Sequence, residues 1–507
     1  SSLIISSMGH SLLFDNLIEP HIQNKDPFLI FRDGSSVSYQ EFFSLSKKIS
    51  QYLTNSQVNK GDRILFQLEK SIYGLAVYAA CIMTGAIYVP LNDQYTIEET
   101  KYFIQDSKPK IIFCNTKRKK QIEDLDIVEK LTIIETDPKE GFKGFNLDDH
   151  NQTNFIQTVK DNEIIALLYT SGTTGKSKAV ALSHENLYSN ASTLKEYWHI
   201  DKEDRLIHML PIFHTHGLFV AMNTAFLSGL SVYFFEKFSL ADLIDTFPKA
   251  TLLMGVPTYY KRMNSSPLIN KNLTSNMKLF ISGSAPLSSA DHQDFYTKTG
   301  HTILERYGMT ETNMNTSNPY DGNRKAGSVG LPLPDVQIRI IEESTKKQMS
   351  ANEIGMIQVK GPNVFQRYWN NEEANNKSFT NDGFFITGDL GYIDEDGYVH
   401  ISGREKDLII SGGFNIYPNE IEDLLNNHEE IIESAVVGRH DADLGEVPIA
   451  VIVSKTEWKD QLIDEIKNIL SQNLAQYKIP REIKFIEDLP RNAMGKIQKK
   501  EIISFLN

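Results

Sequence analysis

The sequence has only two cysteines in 507 residues, Cys81 and Cys114. Both lie inside apolar runs, "YAACIM" and "IIFC". A disulfide framework is excluded by number. The expected home is a reducing compartment: the cytoplasm, or the mitochondrial matrix if a transit peptide has been removed. An excess of positive charge is also missing. A net charge of −13 excludes the basic footprint of a nucleic-acid binder and a polybasic hold on anionic lipid, but leaves room for a local basic pocket. No apolar run approaches the roughly 18 residues that span a bilayer. The opening stretch, "SSLIISSMGHSLLFDNLIEP", has no basic start, no small-residue cleavage site and no arginine, which argues against a retained signal peptide or presequence. Repeats and low-complexity tracts are absent as well. The composition, 40% apolar and 23% charged, is ordinary for a globular protein. The length implies two to four packed units.

The pattern along the chain predicts an α/β fold. "SYQEFFSLSKKISQYL" reads as an amphipathic helix with a Ser cap, "DRILFQL" as a strand, and "SIYGLAVYAACIMTG" as an apolar helix closing at glycine. "KPKIIFC", "LTIIET" and "ATLLMGV" are further short strands. This alternation implies layered sheets, mainly parallel. From about Gly327 the texture becomes antiparallel, with Asp-Gly turns such as "DEDG" at 394–397. The last hundred residues read as a small α+β unit, including a long helix "DQLIDEIKNILSQNLAQYKIP" stopped by proline. The expected division is a large N-terminal domain, 1–403, of layered α/β sheets plus a β subdomain, and a small mobile C-terminal domain, 404–507.

"LLYTSGTTGKSKAVALSH", 167–184, suggests a phosphate-binding loop. Gly172 and Gly175 free the backbone to turn its N–H groups toward an anion, and Lys176 and Lys178 add charge. It is not the mononucleotide P-loop. Thr170 stands where that motif has its first glycine, and "KAVALSH" continues as a strand rather than a helix. The expectation is a hairpin-borne loop for a nucleotide phosphate.

Further polar, glycine-containing segments are "PIFHTHGLF" (211–219), "SGSAPL" (282–287), "ERYGMTET" (305–312), "TGDLGY" (387–392), "GREKDLIISGGFNIYPNEIE" (403–422) and "LPRNAMGKIQKK" (489–500). Each alone is weak. His214 and His216 could form a metal pair, but with no Cys or paired carboxylate nearby that site would be incomplete. Taken in order and at these spacings, the set resembles the acyl-adenylate-forming superfamily of acyl-CoA synthetases, luciferases and adenylation domains. Within it the phrases "PIFHTHGLFVA", "ERYGMTETNMNTSNPYDG" and "GPNVFQRYW" resemble the malonyl-CoA synthetases.

The resemblance implies ATP, Mg²⁺ and coenzyme A as ligands and malonate, with methylmalonate secondary, as the acid. It implies ATP or AMP contacts from Thr170, Ser171, Gly172, Thr173, Thr174, Gly175, Lys176, Lys178, Glu305, Tyr307, Gly308, Thr310, Asp389 and Arg404. Glu311 would bind Mg²⁺, and Lys496, Thr310, Glu311 and His214 would act in catalysis. His214, Ser284, Arg306 and Met309 would meet the acid. Gly412, Gly413 and Phe414 would meet coenzyme A, and Lys406 would be the hinge. A monomer or homodimer is expected. Arg306 carries the diacid expectation, because a guanidinium at the wall of an acyl pocket is costly unless it meets an anion. The alternative is an ion pair of Arg306 with Glu305 or another acid, leaving a pocket for a fatty acid or another short acid. Further alternatives are an oxalate-specific synthetase and an enzyme that loads a carrier protein.

Overall fold

The fold described here is a computed structural model; it describes residues 9–127, 130–144, 146–149, 155–170, 176–492 and 496–507. Local sequence signals set its elements. Helix Tyr39–Asn55 begins at a capping box in which the Ser38 side chain accepts from Glu41 N and the Glu41 side chain accepts from Ser38 N. Helix Ile72–Thr84 is apolar nearly all round and buried accordingly, and it closes at Gly85, whose φ of 78° suits a residue without Cβ.

Two large sheets form the body. The eight-stranded sheet runs in the order Arg367–Tyr368, Ala179–Ser183, Ile164–Tyr169, Ile87–Pro90, Arg63–Gln67, Ile111–Cys114, Thr132–Asp137, Gly141–Phe142. Its centre is parallel and its margins are antiparallel. The nine-stranded sheet has a parallel centre that includes Arg205–His208, Leu252–Gly255, Leu279–Ser282 and Leu304–Met309. One apolar core contains residues of both sheets and of helix Ile72–Thr84. A four-stranded antiparallel sheet follows, from Gln337–Ile341 to Val399–Arg404. After the turn Glu405–Asp407 the chain enters a separate sheet, Ile409–Ser411 to Glu482–Phe485, with its own small cores.

The alternating and capped segments fold as the sequence predicts, with one correction. The long C-terminal helix covers only Lys459–Asn473 and does not reach Pro480. Leu474 is extended and Gln476–Lys478 forms a separate turn. That turn is held by tertiary contacts: Tyr477 stacks on Phe414 with centroids 4.7 Å apart, and Lys478 pairs with Glu420 at 3.0 Å. Both cysteines are buried and free. Among the described residues no helix is long and apolar enough to cross a membrane.

Candidate active site

Segments 211–219 and 282–287 follow the carboxyl ends of the parallel strands Arg205–His208 and Leu279–Ser282, and 305–312 runs through Leu304–Met309 into the turn beyond it, at the edge where open α/β sheets place ligands; 387–392 lies within the antiparallel strand Phe385–Ile393 instead. Strand Ile164–Tyr169 leads into the glycine-rich loop, and Ala179–Ser183 returns antiparallel beside it. The loop is therefore hairpin-borne. Thr170 N donates to Lys178 O at 2.9 Å and closes its neck. Ser171, Gly172, Thr173, Thr174 and Gly175 lie outside the described residues. At the loop's foot Lys176 Nζ lies 5.4 Å from the Tyr102 ring centroid, and Lys178 Nζ 4.7 Å from that of Tyr368. The Tyr368 hydroxyl donates to Glu311 Oε2 at 2.7 Å. Thr310 is half-buried at the tip of the hairpin formed by Leu304–Met309 and Asn313–Ser317. Gly308 is required there, because a Cβ would lie 1.7 Å from the Asn313 carbonyl oxygen.

A second cluster joins Tyr307, Asp389 and Arg404. The Tyr307 hydroxyl donates to Asp389 Oδ2, and Arg404 Nε lies 3.1 Å from Asp389 Oδ1. Asp389 raises the guanidinium's pKa. Glu305 is turned elsewhere: its carboxylate accepts from Gly327 N at 3.0 Å, and burial raises its pKa to about 8.

The third cluster surrounds Arg306, only 3% exposed. Among the described residues its Nε and Nη2 have no hydrogen-bond partner, and no acid lies within ion-pair distance. Glu305 therefore does not pair with it. The guanidinium packs so closely on Gly283 that a Cβ there would come within 2.4 Å of its Cζ, Nε and Nη1. Burial lowers its pKa to about 9, so it stays charged at neutral pH. Ser284, at φ 74°, places its hydroxyl 3.4 Å from His216 Nδ1. In the tautomer where that hydroxyl donates, His216 carries its proton on Nε2, which is buried and also has no partner among the described residues. Ser282 Oγ and Asn313 Nδ2 are further buried polar atoms without partners among the described residues. Buried polar atoms rarely stay unpaired, so this constellation is shaped for an anion. His214 lies beside it, half-exposed to the cleft, and Met309 is half-buried. In the sequence His216 reads as half of an incomplete metal pair or as a satisfied core histidine, not as a substrate contact. Among the described residues no group of three or more His, Cys, Asp and Glu side chains could hold a metal ion. The signal for His216 is its place two residues beyond His214, on the first turn of the π-helical segment His216–Asn223, a geometry frequent at functional sites.

Lys496 comes from the C-terminal unit. Much of its side chain is open to the cleft, yet the walls desolvate its ammonium and lower its pKa. Arg404 lowers it further, while Glu311 and Asp389 raise it. Lys496 also contributes to the depressed pKa of His214. The helix Pro418–Asn426 helps to hold the C-terminal unit in place. Asp423 accepts from Ser289 N at 3.3 Å, and Asn427, one residue beyond the helix, accepts from Ala290 N at 3.0 Å. Lys406 lies in the connecting turn. Gly412 and Gly413, both at positive φ, make a hairpin turn beside Leu444, and Phe414 is exposed against Tyr477. These three residues contact their own unit and are not brought to the Lys496 cluster.

Burial holds the rings of His184, His208, His214 and His216 below the usual 6.5, at about 4 for His184 and about 3 for His214. The unfolded chain therefore takes up protons below about pH 6.5 that the folded chain does not. The stability these rings contribute is present above that pH and lost as pH falls toward 4. Glu305, Glu405 and Asp423, whose carboxyl pKa values burial raises, work in the opposite sense, but His21, His292 and His301 are also held low by burial, so the lowered rings outnumber them. The melting midpoint measured by calorimetry is expected to fall between about pH 7 and about pH 5. A midpoint that rises across this interval would contradict these assignments.

Fold and site together define a two-part α/β enzyme in which a lysine from the small unit enters a cleft lined for anions. The AMP-binding enzyme profile matches residues 21–369, and the AMP-binding enzyme C-terminal domain profile matches 420–496. The chain belongs to the AMP-binding enzyme family. It is 32% identical to a malonate–CoA ligase of Arabidopsis thaliana, over 99% of this chain and 90% of the relative. It is 30% identical to a long-chain-fatty-acid–CoA ligase of Bacillus subtilis, over 93% and 90%. The crystal structure of ATP-bound MatB from Rhodopseudomonas palustris superposes with a TM-score of 0.93 at 43% identity, covering 98% of this chain and 99% of that one. The apo form of MatB gives 0.82 at 44% identity, covering 97% of each chain.

Proposed function

We propose that this protein is an ATP-dependent malonate–CoA ligase, with methylmalonate a secondary substrate. The observation that carries the choice of acid is Arg306: a buried, charged guanidinium that, among the described residues, has two unpartnered N–H-bearing nitrogens and no acidic partner. A second carboxylate on a short acid would complete it through a bidentate pair, with His216 Nε2–H beside it. An apolar chain would leave the cation unpaired and buried, at a cost of several kcal/mol. The likeness to malonate–CoA ligases supports the same reading.

In the first half-reaction a malonate carboxylate oxygen attacks the α-phosphorus of ATP. A P–O bond forms, the bond to pyrophosphate breaks, and pyrophosphate leaves. Lys496 lies where the two approaching anions need neutralising. Lys176, Lys178 and the loop they close would hold the β- and γ-phosphates, with Thr310 at the α-phosphate. Asp389 would take the ribose hydroxyls, with Arg404 assisting. Glu311 fits a Mg²⁺ role, since Tyr368 engages only Oε2 among the described residues and Mg²⁺ commonly combines one or two carboxylates with substrate phosphates. Mg²⁺ when bound neutralises phosphate charge. In the second half-reaction the coenzyme A thiol, giving up its proton, attacks the acyl carbonyl carbon and AMP leaves.

The division into 1–403 and 404–507, a rotation of the small domain about Lys406, and coenzyme A contacts from Gly412, Gly413 and Phe414 belong to the same reading. The arrangement described is the one for adenylation, with Lys496 in the cleft. The higher TM-score to ATP-bound than to apo MatB agrees with this. Two free, buried cysteines suit a reducing compartment, the cytoplasm or mitochondrial matrix. The test is thioester formation dependent on ATP and coenzyme A with malonate, methylmalonate, succinate, acetate and octanoate. Malonate is expected to give the highest kcat/KM. Preference for octanoate would overturn the choice of acid and leave a ligase for an apolar acid.

A further inference from the structure

The loop 208–217 carries His214 and His216, and it is held from the opposite large sheet by a group to which the reaction above assigns no role. Lys70 follows strand Arg63–Gln67 of the eight-stranded sheet. His208 ends strand Arg205–His208 of the nine-stranded sheet and is 1% exposed. Lys70 Nζ lies 2.6 Å from His208 Nδ1 and 3.3 Å from the His208 carbonyl oxygen. On the other side of the ring, Nε2 lies 2.7 Å from the Gly217 carbonyl oxygen.

These distances fix the direction of the chain. A carbonyl oxygen can only accept, so Nε2 carries the ring proton. Nδ1 is then the acceptor, and Lys70 is its donor. The ring is neutral: burial first, then the nearby Lys70, holds its pKa well below the usual value. Lys70 is itself desolvated, with Nζ 4.5 Å from the Phe234 ring centroid and Glu236 partly offsetting the loss of hydration. A lysine desolvated between two sheets merely to fill space would be an expensive choice. The carbonyl it governs belongs to Gly217, where the loop turns so tightly that a Cβ would lie 1.9 Å from the Pro211 carbonyl oxygen. The residue before Gly217 is His216, whose unpartnered Nε2 lies in the Arg306 cluster.

We propose that Lys70 and His208 are a positioning pair for acid selection. Lys70 orients the His208 ring, and the ring holds the Gly217 carbonyl and so fixes His216 beside Arg306. This rests on the malonate reading of the site. The pair does not touch the reacting atoms, and its effect is confined to the acyl group that uses His216 and Arg306.

The experiment measures pyrophosphate release by the wild-type enzyme, Lys70→Met and Lys70→Arg, with malonate and with acetate. Acetate has no second carboxylate. In Lys70→Met, KM for malonate is expected to rise about ten- to a hundredfold, as for loss of one donor to a buried acceptor. The acetate kcat/KM and the KM for ATP should change by no more than about twofold. Lys70→Arg, which keeps a donor, should recover most of the loss. An unchanged malonate-to-acetate ratio in Lys70→Met overturns the proposal, including the case in which both activities fall together as they would for general damage to the fold. Failure of the wild-type enzyme to use malonate is a different result and rejects the proposed function instead.

Discussion

Arg306→Leu is expected to lower kcat/KM for malonate by about three orders of magnitude, the size of effect that follows when a buried charge loses its partner. In the variant the second carboxylate would enter a pocket where only the neutral His216 ring remains beside it. Acetate should lose little, because nothing on it reaches Arg306. The folded state should not suffer either. Without ligand the guanidinium is desolvated, with Nε and Nη2 unpartnered among the described residues, so an apolar side chain of smaller volume removes that cost and leaves some cavity in its place. Steady-state kinetics with both acids and a melting curve check the three parts together. Unchanged malonate turnover would show that the guanidinium does not face the substrate.

Lys496→Ala should slow adenylation by about a hundred- to a thousandfold, the usual consequence of removing one preorganised charge from a developing anion. The lysine stands in the field of Arg404, Glu311 and Asp389, so its removal alters the balance at the site where the carboxylate and α-phosphate must meet. The step is measured by malonate-dependent exchange of pyrophosphate into ATP. The second half-reaction, started from supplied malonyl-adenylate, should keep its rate to within a few-fold, because thiol attack on the acyl carbonyl needs no such neutralisation. Equal loss in both half-reactions would assign Lys496 a structural role.

Much of this arrangement is legible in the residues themselves. Apolar periodicity, Ser38 with Glu41, and Gly85 at a helix end identify helices correctly because capping and burial act locally. "IIALLY" and "KAVALS" identify the hairpin under the glycine-rich loop for the same reason. Arg306 is conspicuous through the family resemblance, which puts an arginine beside "YGMTE" at the wall of an acyl pocket. Other parts depend on contacts between distant segments. Tyr368 lies in the quoted phrase "GPNVFQRYW", but nothing in that stretch reports that it engages Glu311 across 57 positions. Lys70 and His208 are 138 positions apart, and no local pattern in the sequence joins them. The early end of helix Lys459–Asn473 depends on Tyr477 and Lys478 finding Phe414 and Glu420, which no local pattern reports. His216 is visible, but its Ser284 partner, and with it the tautomer, is not.

The most direct measurement is a crystal structure with a non-hydrolysable malonyl-adenylate analogue. The free carboxylate is expected within hydrogen-bonding distance of Arg306 Nε and Nη2, with His216 Nε2 beside it. An Arg306 side chain turned out of the acyl cavity, or a carboxylate held elsewhere, would contradict the assignment of this enzyme to a short diacid.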